Sequence, residues 1–180
     1  MSEARIAPGG RREVGSFTWA LSRVAGKVAG TAPLNLFLPL ARHRKLFRRW
    51  LWFAGGLMPG GILPRRESEL VILRVAHLRS CRYELEHHIR LGRKAGLDDV
   101  DLERVAAGSE ADGWRPRERA LLAAVEMLHD RGDLDDAAWS ELRRHLNERE
   151  AIELCMLAGH YEMLATAIAA LRIETDARAR

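Results

Sequence analysis

The chain has 180 residues, of which 47% are hydrophobic and 30% charged, with 29 Lys/Arg against 25 Asp/Glu and a net charge of +4. That profile excludes a disordered chain and fits one domain with a sizeable core. Its two cysteines, Cys81 and Cys155, exclude a disulfide scaffold and fit a reducing cytoplasm. Ala, Leu, Arg and Glu dominate while β-branched residues are few, so the expected fold class is all-α. Met1 to Thr31 has no secretory-signal pattern, and the most apolar run, Trp50 to Leu63, is too short and too rich in Gly and Pro to span a bilayer. The expectation is a cytoplasmic protein with no membrane partner.

Met1 to about Gly15 is Arg/Gly/Pro-rich and reads as a flexible basic tail, residues 1–15. Residues 16–63 form an N-terminal helical segment. Within it, Phe17, Trp19, Leu21 and Val24 mark a helix ending near Gly30, and Leu34 to Phe53 reads as a second helix. Up to Trp50 there are ten Lys/Arg against two acids, and after it 19 against 23. The cluster Arg42-His43-Arg44-Lys45 with Arg48-Arg49 reads as the solvated face of that second helix. No recognised nucleic-acid motif accompanies it, so no nucleic acid is expected as a partner. Gly55-Gly56 and Pro59-Gly60-Gly61 mark a loop.

Arg65 to Arg79 is the next helix, and a further one runs from Cys81 to about Ala95 and stops at Gly96, with Ser80 as its N-cap. Asp98 to Ala107, Pro116 to Asp130, Asp135 to Leu146 and Glu148 to Leu171 complete the set. A shift of 51 residues aligns Arg66-Glu67 with Arg117-Glu118 and Leu70-Val71 with Leu121-Leu122. Under it Glu69, Cys81 and His88 fall opposite Ala120, Gly132 and Trp139. An internal helical repeat would thus leave one chemical site per chain, and shared helical periodicity produces the same similarity without duplication.

That site lies in Ser80-Cys81-Arg82-Tyr83-Glu84-Leu85-Glu86-His87-His88. Cys81, Glu84 and His88 sit at i, i+3 and i+7 and share one helical face. A cysteine in the first turn meets unpaired N–H groups and the helix dipole, which favour a thiolate. Glu84 and His88 form an i, i+4 acid/base couple, or else an ordinary ion pair of a helix face. Glu69 sits among apolar neighbours, where a carboxylate needs a partner, and reads as a proton relay to His88 or Cys81, or else as a surface acid. Tyr83 is placed either to hydrogen-bond substrate or only to pack, while His87 points about 100° away and reads as a surface residue. Cys155 lies in the apolar run Ala151 to Ala158 and reads as a small core residue. No His-x-x-x-His, paired-Cys or Gly-rich phosphate pattern is present, so neither a metal nor a nucleotide or flavin cofactor is expected.

Leu63-Pro64-Arg65 through Gly96-Leu97 resembles the carboxymuconolactone decarboxylase family, which also holds the alkyl hydroperoxidase D-like proteins. Glu69-Leu70, Cys81-x-x-Glu84, His88 and Lys94-Ala95-Gly96-Leu97 carry the likeness, and Pro116 to Leu122 and Gly159-His160-Tyr161 fit the same group. The resemblance implies an alkyl hydroperoxidase D-like helical bundle, with residues 64–176 as its core, assembled as a homotrimer or homohexamer with the site near a subunit interface. Hydroperoxidase-type members carry Cys-x-x-Cys with a His four residues on. Here Glu84 replaces the second cysteine, and Glu84-Leu85-x-x-His88 is similar to the Glu-Leu-x-x-His of decarboxylase-type members.

The leading reading is a cofactor-independent enzyme acting by general acid/base chemistry on a small carboxylate, lactone or carbonyl compound. Its catalytic residues would be Glu69, Cys81, Glu84 and His88, with Tyr83 binding substrate. One alternative is a one-cysteine hydroperoxide reductase or redox sensor using Cys81. Another is a non-catalytic binding protein working through its basic N-terminal half.

Overall fold

Four consecutive apolar residues, Leu70-Val71-Ile72-Leu73, cannot share one helical stripe, so the helix that carries them has to be surrounded. The computed structural model describes residues 4–29 and 35–176, which are helical without a strand among them. The helices are α1 (Arg11–Val14), α2 (Ser16–Ala29), α3 (Phe37–Leu40), α4 (Arg44–Leu57), α5 (Arg65–Leu78), α6 (Arg82–Lys94), α7 (Asp99–Ala107), α8 (Pro116–Arg131), α9 (Asp136–His145) and α10 (Glu148–Leu171). Helix α5 is the surrounded one. It packs against α6, α7, α8 and α10, and all four of its consecutive apolar residues are fully buried.

Three expected boundaries are corrected. The single helix from Leu34 to Phe53, whose start lies outside the described residues, is two helices, α3 and α4. Pro39 lacks the N–H that a helix begun at Leu34 would need there, so the chain starts a turn later and breaks after Leu40. His43 then opens α4, its ring Nδ1 accepting from the Leu46 N–H. Gly55 and Gly56, expected in a loop, close α4 instead. Ser80, expected as an N-cap, takes φ 49°, and Cys81 is the residue that caps α6, without a side-chain cap bond. The end expected near Gly30 likewise falls on a residue outside the described ones.

Residues 4–15 are tied to the bundle. Val14 is buried against Ala41 and Phe47, Arg42 binds the Ala7 carbonyl and Glu13, and the Arg5 N–H bonds the Leu171 carbonyl. Leu36, Leu57 and Leu63 share one hydrophobic cluster with Val71, Leu121 and Leu154, so the segment before α5 builds the same core as the helices after it. Helix α10 is long and apolar enough to cross a membrane by composition alone. Here it lies along α5 and α8, with Leu154, Leu157 and Leu164 buried.

The shift of 51 residues has a structural counterpart. Arg66 on α5 donates to Glu118 on α8, and Arg117 on α8 donates back to Glu67 on α5. Each arginine also holds the start of a third helix: Arg66 binds Asp101 and the Gly96 carbonyl, and Arg117 binds Glu150 and the His145 carbonyl. Asp101 and Glu150 are both the third residue of their helices and both complete capping boxes, with Asp98 and Asn147. The two arginines thus stand in matching surroundings, each reaching into the other's half.

Candidate active site

Two carboxylates and an imidazole converge at the α5–α6 contact. Helix α5 supplies Glu69 and α6 supplies Glu84 and His88, and all three are buried. The His88 Nδ1 lies 2.7 Å from Glu69 Oε2, and its Nε2 lies 3.3 Å from Glu84 Oε2. The i, i+4 spacing places the second contact, and the packing of α6 on α5 makes the first. Arg65, one turn before Glu69, sets its Nη2 2.6 Å from Glu69 Oε1 as a charge pair off the hydrogen-bonding direction.

Burial disfavours a charged imidazole and is the largest single influence on His88. The hydrogen bonds and negative charges of Glu69 and Glu84 together outweigh it and hold His88 up at about 9. His88 is therefore an imidazolium at neutral pH, with both N–H groups engaged by carboxylates. Glu84 keeps its other oxygen, Oε1, buried and without a partner.

Glu84 and His88 line a cavity of about 430 Å³, together with residues from α2, α3, α4, α5 and α10. One wall is a run of rings. Trp50 stacks on His160 with centroids 6.0 Å apart, His160 meets Tyr161 edge-on at 5.3 Å, and Tyr161 meets His88 edge-on at 5.1 Å. Burial, followed by the Glu84 and Glu69 charges, lifts Tyr161 well above the usual phenol range, so it stays neutral.

Cys81 is buried and is not among the residues lining this cavity. The backbone N–H groups of Glu84 and Tyr83 favour its thiolate, as a helix start should, yet burial outweighs them and raises the thiol above its ordinary value. The thiolate expected from helix position alone is thus not favoured. Tyr83 lines the cavity, but its hydroxyl donates to Asp176 Oδ2 at 2.9 Å and accepts from the Leu36 N–H at 3.3 Å. Cys155, read as a core residue, is half-buried.

His87 is not a surface residue. It lines the cavity stacked on Tyr83, with its Nδ1 buried and unpartnered, and burial followed by the neighbouring His88 charge lowers it to about 3. Sequence reasoning gave no role to Arg65 or Trp50, and it noted His160 and Tyr161 only as a motif fitting the resemblance. They reach the site from α4, α5 and α10, and no local spacing links them.

The model of the carboxymuconolactone decarboxylase family matches residues 44–127. The matched stretch, just under half of the chain, is similar to that family. The match takes in Arg65, Glu69, Cys81, Glu84 and His88, whereas His160 and Tyr161 lie beyond it. The uncharacterized protein YdfG of Bacillus subtilis (strain 168) is 25% identical over 95 residues, 52% of this chain and 65% of that protein. The chain thus spans about two thirds of that relative's length.

Among solved structures, an uncharacterized peroxidase-related protein with an alkylhydroperoxidase AhpD core from Ralstonia eutropha JMP134 superposes with a TM-score of 0.84 at 19% identity, over 97% of this chain and 93% of that one. The debrominase Bmp8, as a cysteine-to-alanine variant in complex with 2,3,4-tribromopyrrole, superposes with a TM-score of 0.78 at 16% identity, over 99% of this chain and 94% of that one. At these identities the likeness establishes a shared alkyl hydroperoxidase D-like helical fold.

Proposed function

We propose that this protein is a cofactor-independent enzyme of the carboxymuconolactone decarboxylase family that moves protons on a small carbonyl or carboxylate compound, and that Glu84 is the group meeting the substrate. The observation carrying the reading is the buried Glu69–His88–Glu84 row, of which Glu84 and His88 line the 430 Å³ cavity. The Glu84 carboxylate takes a proton from the bound compound and returns it to another of its atoms. His88 keeps its own proton, its positive charge compensating the two carboxylates while Glu69 fixes the ring. Arg65, half-exposed beside the cavity, adds a cation for a carboxylate or enolate oxygen.

The test is a screen of small lactones, keto acids and unsaturated acids for turnover, followed by Glu84→Gln. The variant should lose at least a hundredfold in kcat with little change in KM, the size general acid/base catalysis supplies. Unchanged kcat in the variant would remove Glu84 from the chemistry.

A second reading uses Cys81, which stands at the start of α6 near the Tyr83 and Glu84 N–H groups that favour its thiolate, in a fold shared with a debrominase studied as a cysteine variant. In it the thiol reduces a hydroperoxide, ROOH, to ROH and becomes a sulfenic acid. Its burial predicts slow oxidation: under stoichiometric hydroperoxide the Cys81 peptide should gain oxygen no faster than an unperturbed thiol. Prompt oxidation confined to Cys81 would reverse the ranking of the two readings.

A cytoplasmic location and a homo-oligomer belong to this proposal. Two unpaired cysteines support the first. Exposed Trp52, Ile152, Met156 and Met163 on α4 and α10 support the second, since a further copy of the chain would cover them.

A further inference from the structure

Apolar walls favour an apolar occupant and leave a buried charge without compensation. The cavity beside Glu84 and His88 is walled by Phe37 of α3, by Trp50, Ala54 and Leu57 of α4, by Leu91 of α6 and by Leu164 of α10. Most of its lining is apolar, and the apolar side chains reach it from several helices at once. Phe37 and Leu164 lie outside the matched stretch 44–127, so the enclosure draws on more of the chain than that stretch.

Few charges interrupt that wall. Burial is the main influence that keeps both His87 and His160 neutral. The charged residues among the described lining are Arg65, Glu84 and His88, and each already has an opposite charge beside it. Arg65 Nη2 stands 2.6 Å from Glu69 Oε1, and His88 lies between Glu69 at 2.7 Å and Glu84 at 3.3 Å. Two cations thus face two carboxylates, and the group sums to zero. An ionised acid brought into the cavity would add a negative charge that this group does not balance, and an unbalanced buried charge is strongly disfavoured. A neutral compound meets no such penalty, and its apolar body leaves water for the walls.

We infer that the cavity takes a neutral, largely apolar carbonyl compound rather than an ionised acid. This rests on the proposed function in concerning the same cavity and the same Glu84. It narrows the substrate from carbonyl or carboxylate compounds to uncharged, hydrophobic ones. The cavity volume of about 430 Å³ sits near the small end of ligand pockets, so the apolar body is short. When Glu84 removes a proton from the carbon beside the carbonyl, the C–H electron pair moves to the carbonyl oxygen. Arg65 is then the cation for that enolate oxygen, and return of the proton to carbon restores a neutral compound.

Calorimetric titration of the full-length protein with 2-pentanone, 2-hexanone, 2-heptanone and 2-octanone, and with 7-oxooctanoate, tests the inference. The last probe is 2-octanone with its terminal methyl group replaced by a carboxylate. Affinity should rise about threefold with each methylene added along the ketone series, the size that burying one such group supplies. 7-Oxooctanoate should bind at least about tenfold more weakly than 2-octanone. Ala54→Leu, which adds three carbons at a lining position, should weaken 2-octanone at least about fivefold. Ketone affinities within about threefold of one another from first to last, no ketone binding, or a keto acid that matches 2-octanone would each overturn the inference. So would an Ala54→Leu variant that binds 2-octanone as the wild type does, since the ketones would then lie elsewhere. The wild-type series decides the matter even where Ala54→Leu does not fold. Because the readout is binding, ketones that bind in this order yet are not converted remove the acid/base reading and keep the ligand class. Turnover confined to ionised acids does the reverse.

Discussion

The unfolding free energy of the wild-type protein should fall by about 3 kcal/mol between about pH 6 and about pH 10, and His88→Gln should abolish most of that fall. The cause is the imidazolium between Glu69 and Glu84, which burial alone would disfavour and which the two carboxylates hold protonated up to about 9. A histidine whose folded value lies above its unfolded value of about 6.5 binds its proton more tightly when folded. Its contribution is complete below the unfolded value and disappears as pH rises through the folded one. Urea denaturation at a series of pH values reads this directly, with the variant as the control for every other titrating group. Equal alkaline loss in wild type and variant would show that His88 is not the group responsible. In the proposed mechanism the same deprotonation removes the charge beside Glu84, so kcat should decline over the same alkaline range.

Arg66→Met and Arg117→Met should each cost about 3 kcal/mol of stability, and by nearly the same amount. Either change strands two carboxylates that are mostly shielded from solvent, Glu118 and Asp101 in one case and Glu67 and Glu150 in the other. It also frees a main-chain carbonyl, of Gly96 or of His145, that the arginine holds. The exposed pair Arg131–Asp135 is the comparison, and Arg131→Met should move stability by less than about 0.5 kcal/mol. Denaturant midpoints for the three variants check the ordering. Costs for Arg66 and Arg117 that differ by more than about 2 kcal/mol would argue against the equivalence of the two halves.

The helices that carry explicit end signals were legible from sequence. Pro116 stands at the first position of α8, and Asn147 with Glu150 boxes the start of α10, so both ends follow from local chemistry. The break after Leu40 is hidden in the apolar spacing from Leu36 to Trp50, which suits one helix, and Pro39 is its one local signal. The exchange of Ser80 for Cys81 at the cap followed composition, since serine is the better cap and only the backbone turn at Ser80 decides otherwise.

In the site, Glu84 and His88 were legible because four residues separate them. Glu69 entered through its awkward placement among apolar neighbours and through family resemblance. Trp50, Arg65 and His160 come from three different helices, and periodicity carries no information about which helices meet. His87 was misplaced for a related reason. A wheel angle away from His88 means solvent only where nothing else covers that face, and here the cavity spans both histidines.

The crossed arginines bear on how this chain can be divided. Each half leaves unfinished the start of its own last helix unless it holds its arginine in place, and each arginine is itself steadied by a glutamate of the other half. A cut in the connection between α7 and α8 would therefore yield complementary fragments, neither self-sufficient, that regain a native state by finding one another. The half bearing Glu69, Glu84 and His88 would then keep Trp50, Tyr83 and His87 and lose one side of the cavity, because His160, Tyr161 and Leu164 travel with the other fragment. The two halves thus make a single indivisible unit, in which the second completes a cavity that the first mostly builds.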